Sequence, residues 1–254
     1  MAETLKIDRS PRGVATIWLN RPERSNAFDQ RMLDELAREF FAHASDDGTR
    51  IVVLRGIGRH FCAGADLNAR DGEPQASPAH ASLVDVLAAL DRLPKPTIAV
   101  VHGAAAGGGA ALTACCDVVL ACDGAFFSIP EVRVGMVPLG VAPFLIRAIG
   151  QRNFRRYGLT AERFSAAEGL RIGLVHAVVA ADSLDDSLAE IADALLQGAP
   201  GAQRELKGEL EHYTAPSLAE LLARRAAHAP ARTAEAIEGI ASFKEKRKPS
   251  WYPQ

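Results

Sequence analysis

The sequence predicts an α/β core followed by a helical C-terminal region, and three features predict it. Apolar runs at Val14–Leu19, Ile51–Leu54, Thr97–Val101, Val118–Ala121 and Val175–Val179 have strand length and are bounded by turn residues. Segments with helical spacing alternate with these strands, which is the pattern of a parallel sheet. Beyond about residue 180 only helical patterns remain, with Pro200, Pro216 and Pro230 between them.

Val14–Leu19 is rich in strand-forming residues and ends at the turn signal Asn20-Arg21-Pro22. From Asp29 to Ala44, Met32, Leu33, Leu36, Phe40 and Phe41 fall on one helical face, with Asp29 placed as the N-cap. Ile51–Leu54 is a continuous apolar run, as expected of a parallel strand buried on both faces. Residues 70–78 carry Gly72, Pro74, Ser77 and Pro78 without periodicity, so a loop is expected. Leu83–Leu93 is helical and stops before Pro94 and Pro96; Thr97–Val101, Val118–Ala121 and Val175–Val179 supply further buried strands. Leu184–Leu196, Leu206–Leu210, Leu218–Arg225 and Ala234–Phe243 read as helices. The expected division is a core over residues 1–195 and a helical region over 196–254.

Composition narrows the function. Among 254 residues, 29 Lys and Arg face 31 Asp and Glu, a net charge of −2, which gives no field for holding a nucleic-acid backbone. A hydrophobic share of 48% excludes global disorder. The first ten residues contain no apolar h-region, so no signal peptide is expected. Ile98–Cys122 is nearly uncharged, yet it is rich in Ala and Gly and contains His102 and Asp117; buried core, not a membrane span, is expected. Cys62, Cys115, Cys116 and Cys122 form no C-x-x-C pair, and a chain of this size folds without disulfides. Reduced thiols in a cytoplasm follow.

The sequence has no G-x-S-x-G, no H-E-x-x-H, no phosphate-binding G-x-x-x-x-G-K-[ST] and no metal-ligand spacing. Gly103 and Gly107-Gly108-Gly109 do not match the dinucleotide spacing G-x-G-x-x-G. Two similar turns stand out instead. Phe61-Cys62-Ala63-Gly64-Ala65-Asp66-Leu67 follows the Ile51 strand, and Gly107-Gly108-Gly109-Ala110-Ala111-Leu112 follows the Thr97 strand. Each reads as a strand leaving the sheet through small residues into a helix. Unpaired N–H groups at a helix start, approached over glycines, can hold one developing oxyanion between two turns. The same small residues also serve tight strand–helix packing. Glu131, in Ile129-Pro130-Glu131, is a single carboxylate among Phe126, Phe127, Val132, Val134 and Val137. Apolar surroundings raise a carboxyl pKa toward the range of general acid–base work; an exposed Glu on a turn is the alternative.

Three other residues admit bland readings. Cys62 lacks a base partner and reads as packing, His102 as a core or loop histidine, and Asp117 as a turn cap. Lys244–Lys248 closes a helix with dipole-complementing charge.

Taken together, these motifs resemble the enoyl-CoA hydratase/isomerase (crotonase) superfamily. The resemblance starts at Leu19-Asn20-Arg21-Pro22 with Asn26-Ala27 and passes through Phe61–Leu67, Gly103–Gly109, Cys116-Asp117, Pro130-Glu131 and Gly135. It continues through Leu159-Thr160 with Ala166 and Gly173-Leu174-Val175 to Phe243–Lys248. It implies a spiral of ββα turns with a helical C-terminal trimerisation region, and a homotrimer or dimer of trimers. It implies a CoA thioester as substrate, no permanently bound cofactor, and no membrane or nucleic-acid partner. Matched position by position, the oxyanion donors are the N–H groups of Ala65 and Gly108, and Glu131 exchanges a proton with the substrate α-carbon. The CoA and substrate contacts are Arg24, Ala27, Ala63, Asp66, Leu67, Asn68, Gly107 and Lys246; the Ala63 carbonyl receives the adenine.

One position departs from the pattern. Two-carboxylate hydratases of the superfamily carry a second Glu where this chain has Ala111. The expected activity is hydration of a 2-enoyl-CoA, with Δ3–Δ2 isomerisation and decarboxylation as enzymatic alternatives and a non-catalytic acyl-CoA-binding or scaffold protein as the alternative of another class. Glu131–Gly135, Arg155-Arg156-Tyr157, Leu159–Phe164 and Lys248-Pro249-Ser250-Trp251 look like the hydratases of branched glutaconyl-type esters, including that of leucine degradation. A second substrate carboxylate would call for a cation, for which Arg133, Arg70 and His80 are candidates.

Overall fold

The computed structural model describes residues 3–67, 80–210 and 234–253. Nine strands are found among them: β1 (Leu5–Arg9), β2 (Val14–Leu19), β3 (Ile51–Gly56), β4 (Thr97–Val101), β5 (Ala104–Ala106), β6 (Val118–Cys122), β7 (Phe126–Ser128), β8 (Phe164–Ser165) and β9 (Ala177–Val179). Their helices are α1 (Gln30–Ser45), α2 (Leu83–Asp91), α3 (Gly108–Ala114), α4 (Ala142–Thr160), α5 (Ala166–Ile172), α6 (Leu184–Gln197), α7 (Pro200–Leu210) and α8 (Ala234–Glu245).

The strands form two sheets. The larger has six strands in the order β1-β2-β3-β4-β6-β9, and the smaller three in the order β5-β7-β8. Only β1 runs antiparallel in the larger sheet, with Ile7 opposite Ile17; from β2 onward every pairing is parallel. The central strands read as continuous apolar runs because both faces are covered: Ile51–Leu54 and Ile98–Val101 are at most 1% exposed. Successive units repeat the order strand, strand, helix. β4 leads through β5 into α3, and β6 leads through β7 to α4, the ββα spiral expected.

Local chemistry explains the ends of the elements. Asp29 is the N-cap of α1, its Oδ1 accepting from Met32 N at 2.9 Å. Ser82 and Asp85 form a reciprocal capping box on α2. Asp117, expected to cap a turn, instead ties the chain before β6 to the start of β4, its carboxylate accepting from Thr97 N at 2.7 Å and Thr97 Oγ1 at 2.9 Å. Ile98–Cys122 comprises β4, β5, α3 and β6 in the core, and no described helix is long and apolar enough to cross a membrane. All four cysteines are free and buried. The Leu218–Arg225 helix and the 70–78 loop lie outside the described residues.

The elements that position the last part of the chain are charged. Lys207 on α7 donates to Asp117 Oδ2 at 2.5 Å and to the Lys95 carbonyl at 3.0 Å. Glu235 on α8 accepts from the N–H groups of Gly201 and Ala202 at the start of α7.

Candidate active site

The small sheet is extended by two isolated parallel bridges, Cys62 with Ala105 and Phe28 with Ala65. These place the first turn beside the second. Cys62 N donates to Ala104 O at 3.0 Å, and Ala106 N donates to Cys62 O at 2.9 Å. A Cβ on Gly64 would lie 2.8 Å from Ala106 O and 3.6 Å from Gly108 N, so the two backbones meet at a glycine. Gly109 is equally constrained, because a Cβ there would run into Cys62 O.

The direction of the Ala65 N–H follows from the bridge. Phe28 N donates to Gly64 O at 2.8 Å, and Asp66 N donates to Phe28 O at 3.0 Å. Residues 64 and 66 therefore face Phe28, and the Ala65 amide points the other way, as strand alternation requires. Gly108 is the first residue of α3, so its N–H has no acceptor within the helix. Gly107 precedes it with φ 53° and ψ −121°, a conformation that favours glycine. Its N–H donates to Ser128 O on β7 at 2.9 Å, and its carbonyl accepts from Ala111 N at 3.0 Å.

Glu131 opens a 3₁₀ turn, Glu131–Val134, that Pro130 leads into and Gly135 ends with φ 73°. A Cβ on Gly107 would lie 2.8 Å from Glu131 Oε1 and 3.5 Å from Cδ, so the carboxylate rests on the Gly107 α-carbon. Oε2 is buried without a hydrogen-bond partner among the described residues. Burial pushes the carboxyl pKa above its ordinary value, against a smaller opposing effect of its own backbone N–H. The valines expected to envelop it do not: Val134 and Val137 are 53% and 71% exposed. The Gly107 turn is what lies against the carboxyl.

Gly64, Ala65, Gly107, Gly108 and Glu131 thus come together. The other expected contacts are spread out. Arg24 is exposed on the 3₁₀ turn Pro22–Arg24. Ala63 is exposed, with its N–H donating to Ser25 O at 3.0 Å, and Leu67 is also exposed. Ala27 is buried, its carbonyl accepting from Arg21 Nη1. The Asp66 carboxylate is buried against Arg21. Lys246 is exposed just past α8 with φ 54°. Asn68 and Arg70 lie outside the described residues. His80 Nδ1 is 2.8 Å from Asp34 Oδ2, and Arg133 is exposed on the turn after Glu131.

Two residues do more than their motif suggested. Asn26, fully buried with φ 56°, accepts from Arg21 N at 2.9 Å and donates to the carbonyls of Ile57 and His60 at 2.9 and 2.7 Å. It joins the loop before α1 to the exit of β3. Arg21 is the second. The signal for both was a buried-type polar residue between turn residues, which periodicity does not read. Cys62 is fully buried and its thiol is pushed up to about 12, which suits packing and not nucleophilic attack. His102 is a loop histidine, with Nε2 2.8 Å from Gly58 O. No cluster of metal-ligating side chains occurs among the described residues.

A ββα spiral brings two small-residue turns to one carboxylate. The family model described as enoyl-CoA hydratase/isomerase matches residues 9–254, and the chain belongs to that family. It is 34% identical over 252 residues to the Mycobacterium bovis protein named "Probable enoyl-CoA hydratase echA8", covering 98% of each. Among solved structures, Pseudomonas aeruginosa AtuE is 38% identical with a TM-score of 0.89, covering 98% of this chain and 100% of that one. An enoyl-CoA hydratase from Shewanella pealeana is 33% identical with a TM-score of 0.88, covering 98% and 96%. The fold is the crotonase fold expected from the motifs.

Proposed function

We propose that this chain hydrates 2-enoyl-CoA thioesters, with Ala65 and Gly108 as oxyanion donors and Glu131 as the acid–base group. The observation that carries this reading is the Glu131 carboxylate resting on Gly107, one residue before the Gly108 donor. The thioester carbonyl oxygen lies between the two N–H groups, each lowering the barrier by roughly 3–4 kcal/mol. Glu131 takes a proton from water as the water oxygen bonds to the β-carbon. Charge moves to the thioester oxygen, and the protonated Glu131 then delivers its proton to the α-carbon. A carboxyl with a raised pKa suits both halves of this exchange. CoA enters as part of the substrate, and no resident cofactor takes part.

A second reading is Δ3–Δ2 isomerisation, in which Glu131 moves one proton between carbons. Ala111, fully buried where a second carboxylate would stand, favours it. A branched, glutaconyl-type acyl group is our finer reading, with Arg133, Arg70 and His80 as the candidate cations for its distal carboxylate; Arg133 is exposed on the turn after Glu131, and His80 faces Asp34. The region from residue 196 onward is the part we assign to a homotrimer or dimer of trimers. In support, Leu206, Leu210, Ile237 and Ile240 are each more than half exposed in the single chain. Four buried free thiols support a cytoplasmic location.

The test is loss of enoyl-thioester absorbance with 3-methylglutaconyl-CoA and with crotonyl-CoA. Turnover of the first in preference to the second supports the full reading; a preference for crotonyl-CoA removes the glutaconyl assignment. Inertness toward both, with conversion of a 3-enoyl-CoA, replaces hydration by isomerisation.

A further inference from the structure

We propose that Arg21 and Asp66 are a positioning pair that fixes the direction of the Ala65 N–H, an inference that rests on reading Ala65 as an oxyanion donor. Ala65 lies outside any regular strand and pairs with Phe28 through an isolated bridge, two residues after the Ala63 N–H donates to Ser25 O. A two-residue bridge is a weak way to hold a register. A slip by one residue would turn the Ala65 amide to the opposite face.

A single guanidinium ties both sides of that bridge. Arg21 Nη1 donates to the carbonyl of Ala27, the residue before Phe28. Arg21 Nη2 pairs with Asp29 Oδ2, on the residue after Phe28, at 3.3 Å, and with Asp66 Oδ2, on the residue after Ala65, at 3.0 Å. Asp29 is itself fixed, because its other oxygen caps α1 through Met32 N at 2.9 Å. The Arg21 and Asp66 side chains are only 14% and 7% exposed. The Arg21 backbone is held as well, its N–H donating to Asn26 Oδ1. The planar fork of arginine suits this three-way contact, and a lysine ammonium does not reproduce it.

A buried ion pair of this kind is poor evidence for stability, because desolvation offsets much of the attraction. Its placement around Phe28 and Ala65 points to geometry instead. The Asp66 carboxylate accordingly acts through the Ala65 amide.

The test compares wild type, Asp66→Asn, Arg21→Lys and, as a control for destabilisation alone, Arg50→Ala. Three quantities are measured: kcat and KM with crotonyl-CoA, the melting temperature, and the infrared carbonyl frequency of bound butyryl-CoA. The last reports how strongly the two N–H groups polarise the thioester. Asp66→Asn and Arg21→Lys are expected to lower kcat about 10²-fold with KM little changed, and to lose much of the carbonyl shift. Arg50→Ala is expected to melt lower with kcat and carbonyl shift intact. A folded Asp66→Asn or Arg21→Lys enzyme with the wild-type carbonyl shift overturns the proposal. If Asp66→Asn does not fold, Arg21→Lys, which keeps the charge, decides by the same spectrum. A wild-type enzyme that binds butyryl-CoA without any carbonyl shift overturns the oxyanion reading itself and this inference with it. A wild-type shift that the variants keep overturns only this inference.

Discussion

The carboxylate of Glu131 rests on the α-carbon of Gly107, where a Cβ would lie 2.8 Å from Oε1. Gly107 also holds a positive φ of 53° and joins β7 to α3 through its N–H and carbonyl. Gly107→Ala therefore acts twice. The backbone is strained by about 1–3 kcal/mol, and the carboxylate is pushed off the turn. Thermal unfolding should show the first effect. The second should appear as a fall in kcat larger than any rise in KM, and an alanine variant with wild-type kcat would mean that Glu131 has room to shift without loss.

Glu131→Gln keeps the shape of the side chain and removes the proton exchange. Turnover of the best enoyl-CoA should fall by about 10²–10⁴-fold, the usual contribution of a positioned acid–base group. Titration with butyryl-CoA should show binding preserved, because the oxyanion donors are backbone groups. A Gln variant of near-wild-type rate would remove Glu131 from the mechanism.

The same residue sets a pH dependence of definite sign. Its pKa is raised by burial, so the native state binds a proton more tightly than the unfolded chain does. Stability from this group is then greatest below the ordinary value of 4.5 and declines as pH rises through the higher folded value. Glu131→Gln should melt higher than wild type at pH 8, and the gap should narrow toward pH 5. Activity runs the opposite way. As the base toward water, Glu131 must be ionised, so the acid limb of kcat/KM should lie above 4.5. A limb at or below the ordinary value would contradict the burial argument.

The periodic elements were readable from sequence because their burial is regular. α1 shows its apolar face and its Asp29 cap in the order of residues alone. β3, β4 and β6 announce themselves as apolar runs because both faces are covered. The small sheet did not announce itself. β5 is Ala-Ala-Ala, with no strand propensity of its own, and forms because Cys62 and β7 pair with it. β1 is mostly charged and pairs only as an edge strand. α4 is broken at Gly150, with φ 74° and ψ 153°, which hides its periodicity. In the site, residue types pointed to two small-residue turns and one carboxylate. The partners of Arg21 and Asn26 are separated by up to 45 residues, and only tertiary structure brings them together.

Arg50 offers a test of how the end of the chain is held, away from the chemistry. It sits just before β3, and its guanidinium reaches three carbonyls. Nη1 donates to Trp251 O at 2.6 Å, and Nη2 donates to Gly198 O at 2.9 Å and to Leu196 O at 3.4 Å. The last two belong to the end of α6, where carbonyls lack helical partners. Trp251 closes the arrangement by donating from Nε1 to Gln197 O at 2.9 Å. One cation thus fastens the C-terminal segment to the end of α6 and to the main sheet. Arg50→Ala leaves those carbonyls without their donor and should cost about 2 kcal/mol in chemical denaturation. Hydrogen exchange should speed up first at 249–253 and in α8, while β3 and β4 keep their protection. Loss of protection in the central strands together with the tail would show instead that the C-terminal segment and the sheet unfold as one unit.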